Sequence, residues 1–349
     1  MTNSSTMDAI VIQRFGEPAV FEAARLAKPK VTSGHVLIKV EATSVNPVDC
    51  KIRQGALTAI APTFPAVLHG DVSGIIEATG PGVETLKAGD EVYACGGGVR
   101  GSGGALAEYM LVDSALVALK PQTLTHHEAA ALPLVSITAW TALIDKARLK
   151  PGQTVLIHGA TGGVSHVAIQ IAKAKGATVY ATCSSTSKEK MAKALGADYA
   201  INYRDMTVNQ YVEHFTAGKG FDVVFDTVGG DNIQTSFQAT ALNGTVVSVS
   251  TRSTQDLSFM HAKGLSLHVV FMLIPLLHEQ PTSQQSSVTI KNGGRAHQGE
   301  ILNHITALVN NADLRPLIDE TQYRISEVAK AHSRLASGEA TGKVVLIQS

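Results

Sequence analysis

Residues Pro151 to Ser185 read PGQTVLIHGATGGVSHVAIQIAKAKGATVYATCSS, and the rest of the chain is arranged around them. Thr154 to His158 is a short β-branched and apolar run, Gly159 to Gly163 a glycine-rich turn, Val164 to Lys175 carries helical apolar spacing, and Thr178 to Thr182 is a second strand. A turn of this kind between strand and helix lets the backbone approach a pyrophosphate, and the free N–H groups at the positive end of the helix face the negative charge. The order predicts a dinucleotide site built by Gly159, Ala160, Gly162, Gly163 and Val164. Two positions depart from the usual fingerprint: Ala160 stands for the first glycine, and Ser165 stands where a third small residue lets helix pack on strand. Serine is small enough to keep that packing.

The end of the second strand indicates which dinucleotide. A site for NAD places an Asp or Glu about 20 residues after the glycines, on the ribose 2′-hydroxyl. This chain offers Thr182, Cys183, Ser184, Ser185 and Lys188, with no acid before Glu189. Hydroxyls and an ammonium suit a 2′-phosphate, so NADPH is the expected cofactor.

At 349 residues the chain is long enough for two domains. Lys plus Arg equals Asp plus Glu at 29 each, so no broad field draws nucleic acid or anionic lipid. Cys50, Cys95 and Cys183 show no CxxC spacing, which argues against a disulfide framework and a structural zinc. The start MTNSSTMDAI lacks the basic and apolar regions of a secretory signal, and the apolar run Leu265 to Leu277 is too short for a membrane span. A soluble protein of a reducing compartment, the cytoplasm, is expected.

Before the central stretch, DAIVIQ, HVLIKVEATSV, AVLHGDVSGIIEATG, DEVYACGG and ALAEYMLVD are short strands between Gly, Pro and Asp turns, the pattern of a β-rich barrel-like domain. The tract GGGVRGSGG at 96–104 reads as a flexible surface loop or rim. Thr125 and Glu128 form a capping box, with His126 and His127 on the solvent side of the helix that follows. After it, strands alternate with helices, including helices around Val208–Phe215 and Ile233–Leu242, which makes a parallel, doubly wound sheet. Ligands lie outside the carboxyl ends of such strands, which places His158, Thr182, Tyr203, Asp226 to Val228 and Ser250 near the cofactor. Glu279 to Arg295 reads as a polar, mobile insertion. The last strand, KVVLIQ, is expected to pair with the N-terminal domain, giving a β-rich domain of residues 1–124 plus 266–349 with a nucleotide domain of 125–265 inserted.

The blocks SVNPVDCKIRQG, FPAVLHGDVSGIIEATG, GDEVYA, GALAEYMLV, AAALPLVSITAW, VLIHGATGGV, LGADYAINYR, FDVVFDTVGG and GKVVL occur in that order over nearly the whole length. The chain thereby resembles the zinc-free quinone oxidoreductase branch of the medium-chain dehydrogenase/reductase superfamily, related to zeta-crystallin. The resemblance implies a Rossmann sheet inserted into a GroES-like domain. It also implies a polar cleft contact at Asn46 and nicotinamide-side residues at Thr138 and Val228, with Asn46 and Thr138 the candidate catalytic residues. Ser184, Lys188 and Tyr203 are implied around the 2′-phosphate, Phe271 and Met272 in a covering loop, and Lys343 where the chain returns to the cleft. Asp49 and Asp71 are read as holding the β-rich domain together. A homodimer is implied by the same resemblance.

Where zinc-dependent relatives place a catalytic cysteine and Gly-His-Glu, this chain has Asn46 and then His69, Gly70 and Asp71, so the ligand histidine is replaced by Gly70. His69 alone does not make a site that needs three protein ligands, and no metal is expected. Without a Lewis acid, the feasible hydride acceptors are electron-poor: a quinone or an activated enone. No residue stands out as a proton donor. The competing readings are a 2-enoyl thioester reductase, for which no tyrosine acid follows Asn46, and a non-catalytic NADPH-binding protein.

Overall fold

The computed structural model describes residues 5–278 and 294–348, and the chain divides into two compact units. Unit 1 comprises Met1–Leu134, Leu273–Ala312 and Pro316–Ser349; unit 2 comprises Val135–Met272 and Asp313–Arg315.

Unit 1 begins with the antiparallel hairpin β1 (Thr6–Ile12) and β2 (Phe21–Ala27). Next come β3 (His35–Val45), the short helix α1 (Pro47–Arg53), β4 (Asp71–Thr79), β5 (Glu91–Cys95), β6 (Tyr109–Asp113), β7 (Val117–Leu119) and the single turn α2 (His126–Ala129). The long strand β3 organises this unit, because its side chains are buried along most of its length. It pairs with β4 on one edge, and on the other with β6 through residues 35–39 and with the C-terminal strand through residues 42–45.

Helix α3 (Pro133–Trp140) carries the chain into unit 2, which begins at Val135, and runs on into a π-helical turn, Thr141–Lys146. The helical run His126–Lys146 is long and apolar enough to cross a membrane by length and composition, more so than Leu265–Leu277, and 72% of its apolar window is buried inside the protein. Unit 2 continues through β8 (Thr154–Ile157), α4 (Gly163–Ala174), β9 (Thr178–Cys183), α5 (Thr186–Ala194), β10 (Tyr199–Asn202), α6 (Val208–Thr216), β11 (Phe221–Asp226), α7 (Asn232–Ala239), β12 (Thr240–Ser248), α8 (Ser258–Lys263) and β13 (Ser266–Val269). The sheet is parallel in the order β10-β9-β8-β11-β12-β13, so the strand order reverses between β8 and β11. The helix expected to run to Leu242 ends at Ala239. Thr240 already lies in β12, where its hydroxyl donates to the Ser236 carbonyl (2.6 Å).

The chain returns to unit 1 with α9 (Ile274–His278), α10 (Arg295–Asn310), β14 (Tyr323–Arg324), α11 (Val328–Ala336) and β15 (Val344–Ile347). β15 pairs antiparallel with β3, in register Val344 to Val45. The expected insertion at 279–295 lies outside the described residues apart from Gly294 and Arg295, the latter starting α10.

The division falls after Leu134 and Met272, whereas the sequence reading placed it after 124 and 265. Residues 125–134 stay with unit 1 because Ala130 and Ala131 pack on Ala42 and Val345, and because the Leu134 N–H donates to Asp71 Oδ1 at 2.8 Å. β13 stays with unit 2 because it extends the parallel sheet beside β12.

Two further expectations change. The tract at 96–104 is surface only in part: Arg100, Gly101 and Gly103 are exposed, whereas a Cβ at Gly97 would meet the Gly103 carbonyl at 2.0 Å and one at Gly104 the Leu68 carbonyl at 2.0 Å, so glycine at those two positions permits backbone-on-backbone contact. His126 is not simply solvent-side; its ring meets Ser73 Oγ at 2.8 Å and Glu91 at 3.3 Å.

Candidate active site

In unit 2 the reversal of strand order puts the glycine turn after β8 next to the loop after β11, which is the crevice where such sheets take ligands. Gly159 has φ +71°, a conformation that other residues adopt only with strain. Its N–H donates to Thr182 Oγ1 (3.2 Å), and the Ala160 N–H donates to the Thr182 carbonyl (2.8 Å). These bonds tie the turn to the end of β9. Ser165, in the third small position, packs as expected and does more. Its hydroxyl donates to the His158 carbonyl at 2.8 Å and meets Thr227 Oγ1 at 2.9 Å, while Thr227 also donates to the His158 carbonyl at 2.8 Å. A hydroxyl clasp thus joins the ends of β8 and β11.

α4 starts at Gly163 with Gly162 as N-cap, and no side chain caps it. The first N–H groups of this twelve-residue helix therefore lack intrahelical partners, and Gly162 is exposed at their head. A bare, accessible helix N-terminus behind a glycine turn fits a dinucleotide pyrophosphate, held by the Gly162, Gly163 and Val164 backbone. Ala160 is buried and contributes its place in the turn rather than a side chain.

The other nucleotide-side positions gather at the same strand ends. Ser184 follows β9, Lys188 lies in the first turn of α5, and Tyr203 follows β10, its N–H donating to the Cys183 carbonyl at 3.1 Å. Ser184 and Lys188 are half-buried and Tyr203 is 52% exposed. Ser185 caps α5, accepting the Lys188 N–H at 3.4 Å. Val228 is 57% exposed in a loop that Asp226 shapes, since Asp226 Oδ1 accepts the N–H groups of Val228 (2.9 Å) and Gly229 (3.0 Å). Ser250 follows β12, and Phe271 and Met272 follow β13, Phe271 exposed and Met272 buried. Thr138 is buried in α3, just before the π-helical turn.

His158 follows β8 and is buried. Its Nδ1 meets Thr182 Oγ1 at 3.2 Å, and burial, opposed by the Asp226 charge, lowers its imidazole to about 4. It is a neutral ring at physiological pH.

In unit 1 the registers of β3, β4 and β15 place Ser44, Asn46, Asp71 and Lys343 together, although they are far apart in sequence. Asp71 Oδ2 accepts from Ser44 Oγ (2.8 Å), Asn46 Nδ2 (2.8 Å) and Lys343 Nζ (3.4 Å). The Lys343 ammonium also donates to the Val45 carbonyl (3.1 Å) and to Asn46 Oδ1. Asn46 is only 1% exposed, with its amide oxygen on Lys343 and its amide nitrogen on Asp71. The residue read as presenting a polar contact is turned into this network, and Lys343 has its three N–H bonds committed there. Asp49, at the first turn of α1, accepts the Asn46 backbone N–H at 2.8 Å.

A second chain of buried groups leads into Asp71. Arg53 Nε donates to His332 Nδ1 (3.3 Å), and His332 Nε2 faces His69 Nε2 (2.9 Å). Next, His69 Nδ1 meets Thr43 Oγ1 (3.3 Å), and the Thr43 hydroxyl donates to the Asp71 carbonyl (2.6 Å). A guanidinium only donates, so His332 carries its hydrogen on Nε2 and His69 carries its own on Nδ1. Both rings are neutral: burial, with Arg53 nearby, lowers His332 to about 3, and burial, then His332 and Lys343, hold His69 well below the usual imidazole range.

Sequence reading missed His332, Ser44 and Thr43. The one available signal was polar residues at positions where their strand or helix is otherwise apolar.

The donor set does not fit a catalytic zinc. Gly70 stands where a ligand is needed, and a Cβ there would meet the Gly97 carbonyl at 2.9 Å and Cys95 Sγ at 3.2 Å. Among the described residues no group of three or more His, Cys, Asp or Glu is placed to hold a metal ion.

A doubly wound sheet with a bare helix N-terminus at its switch point, in one chain with a β-rich unit, defines a two-domain pyridine-nucleotide oxidoreductase. Residues 32–122 match the family described as Alcohol dehydrogenase GroES-like domain, and residues 163–276 the family described as Zinc-binding dehydrogenase. The 2-methylene-furan-3-one reductase of Solanum lycopersicum is 33% identical over 332 residues, 93% of this chain and 74% of that protein. The quinone oxidoreductase of Homo sapiens is 29% identical over 348 residues, 99% of both. An alcohol dehydrogenase superfamily protein from Novosphingobium aromaticivorans superposes with a TM-score of 0.89 at 37% identity, over 99% of this chain and 100% of that one. The chain belongs to the medium-chain dehydrogenase/reductase superfamily and is an oxidoreductase of it.

Proposed function

We propose that this protein is an NADPH-dependent, metal-independent oxidoreductase that passes hydride to a quinone or an activated enone. The observation that supports the cofactor reading is that Ser184 follows β9 and Lys188 lies in the first turn of α5 with no acid before Glu189, while the Tyr203 N–H donates to the neighbouring Cys183 carbonyl. Bound there, the reduced nicotinamide supplies the hydride. The chain's own part is to bind and orient. The Gly162–Val164 backbone takes the pyrophosphate, Gly159 and Ala160 shape the turn, and Ser184, Lys188 and Tyr203 take the 2′-phosphate. Thr138, Val228, Ser250, Phe271 and Met272 form the nicotinamide side.

The acceptor class follows from the donor set of unit 1, where an ammonium and an amide occupy the neighbourhood in which zinc-dependent chemistry needs thiolate and imidazole. Quinones and enones accept hydride without a Lewis acid, and the names of the human and tomato relatives support this class. Asn46 and Lys343 act in this reading by fixing the polar wall of the unit 1 site. The reading includes a homodimer formed through the open sheet edge at β13, where Val269 is exposed.

The test is loss of NADPH and NADH absorbance in chelator-treated protein against a benzoquinone, an ortho-quinone, a simple enone and a crotonyl thioester. Chelator-resistant turnover of a quinone or enone with NADPH preferred is the expected result. Preference for NADH overturns the cofactor reading, and preference for the thioester overturns the acceptor class.

A further inference from the structure

Two carboxyl groups and one ammonium share the buried pocket at the start of α1, and the protein serves them unequally. Asp71 receives four donors: Ser44, Asn46 Nδ2 and Lys343 on Oδ2, and the Leu134 N–H on Oδ1. Among the described residues Asp49 receives Asn46 alone, through its backbone N–H on Oδ2 and through its side chain. Asp49 is 3% exposed and Asp71 is fully buried, so both carboxyl groups are largely removed from water. With both ionised, the pocket would hold two negative charges against one positive, and a buried carboxylate with few donors is the form that takes a proton instead. The hydrogen bonds select Asp71 as the anion and Asp49 as the acid.

We propose that Asp49 is a proton-holding positioning residue: as a neutral acid it keeps the Asn46–Lys343–Asp71 cluster at zero net charge, and loss of its proton to solvent sets a negative charge beside Asn46 that opposes hydride delivery to the acceptor. The protonation part stands on the geometry alone, and the kinetic part rests on the oxidoreductase reading above. Burial, with the Asp71 charge adding to it, raises the Asp49 carboxyl to about 7 against the lowering effects of Asn46 and Lys343.

The other titratable and charged groups around Asp49 do not supply a compensating charge. Cys95, from β5, has its thiol pushed well above the ordinary range, and Cys50, on the same helix, is pushed up to about 12, so both stay neutral. His332 of α11 and His69 before β4 are neutral rings, and the Arg53 guanidinium is directed to His332 and to the Gly16 carbonyl. Lys343 is already shared by three acceptors.

Asp49→Asn is the informative variant, because an amide keeps an acceptor for the Asn46 N–H and does not titrate. Infrared difference spectra across neutral pH should show, in the wild type, a protonated carboxyl band that disappears as pH rises and is absent from D49N. With NADPH and a benzoquinone, wild-type kcat/KM should fall above neutral pH by up to about ten-fold per pH unit, while D49N shows no such fall. Urea midpoints add a reading independent of turnover. The folded wild type binds one more proton than the unfolded chain between the ordinary carboxyl range and about 7, so its stability falls as pH rises there, and D49N lacks that fall.

A carboxyl band that does not titrate, or that persists in D49N, overturns the protonation assignment. A band lost in D49N together with a wild-type pH profile in that variant overturns the positioning role. If neither protein oxidises NADPH with any acceptor, the oxidoreductase reading and the positioning role fall together, while the band still decides where the proton sits.

Discussion

The glycine turn of unit 2 and the buried polar cluster of unit 1 are built by opposite means. The turn uses backbone: one positive φ at Gly159, an uncapped helix start at Gly162, and N–H groups tied to Thr182 at the end of β9. The cluster uses side chains from Ser44, Asn46, Asp71 and Lys343, brought together by the registers of three strands. A backbone site asks only that side chains stay out of the way, and it changes gradually on substitution. A buried charged cluster is all or nothing, because each member is desolvated and depends on the others.

Lys343→Met tests this contrast at its largest expected effect. It leaves Asp71 buried without its cation and should cost about 3–5 kcal/mol in urea unfolding. A loss below about 1 kcal/mol would show that the cluster does not act as a unit.

The histidine chain that leads into Asp71 comes next. His332 is held neutral with its folded value near 3, below the ordinary imidazole value of 6.5. The unfolded chain therefore binds more protons in that window, and His332 contributes stability that is lost as pH falls, by up to about 1.4 kcal/mol per pH unit. His332→Gln keeps an acceptor for Arg53 and a donor for His69 but cannot titrate, so its stability deficit against the wild type should shrink as pH drops toward 4. Asp49 has the opposite sign, losing stability as pH rises, so the two groups partly cancel in the wild type between about 4 and 6.5. A deficit that stays constant with pH would sink the neutral-ring assignment.

Substitutions in the turn should act on ligand affinity more than on folding. Gly162→Val adds a branched side chain at the exposed helix start, where even a Cβ meets the Gly159 carbonyl at 3.2 Å. NADPH binding by titration calorimetry should weaken about ten-fold, or ~1.4 kcal/mol. Lys188→Ala should weaken NADPH by a similar factor and leave NADH alone; an equal loss for both nucleotides would remove Lys188 from the 2′-phosphate site. The smallest effect is expected at Arg25→Ala, whose ion pair with Asp8 has side chains 63% and 67% exposed. There the change in stability should stay within about 0.5 kcal/mol and shrink further in salt.

The legibility of the two regions follows the same division. Strand, turn and helix around Gly159 were readable because their determinants are local: β-branched runs, glycines at fixed spacing, and helical apolar spacing. The hydroxyl clasp of Ser165 and Thr227 was not readable, because it joins the first turn of α4 to the loop after β11, 62 residues away. The tract at 96–104 reads as a surface loop from its composition, and Gly101 and Gly103 are exposed, yet Gly98 and Gly104 serve close backbone contact with His69 and Leu68, which composition does not reveal. Asn46 stood out in sequence, but its side chain turned inward once Lys343 arrived from the far end of the chain.

By itself, then, the sequence determined the αβ order, the glycine turn and the absence of an acid at the end of β9, because these depend on residues next to one another. Only the tertiary structure decided which carboxyl group is the anion, which histidines meet and where Lys343 points. Those outcomes are set by desolvation and by hydrogen bonds among side chains hundreds of residues apart, and their energies exist only when strand pairing has excluded water from between them.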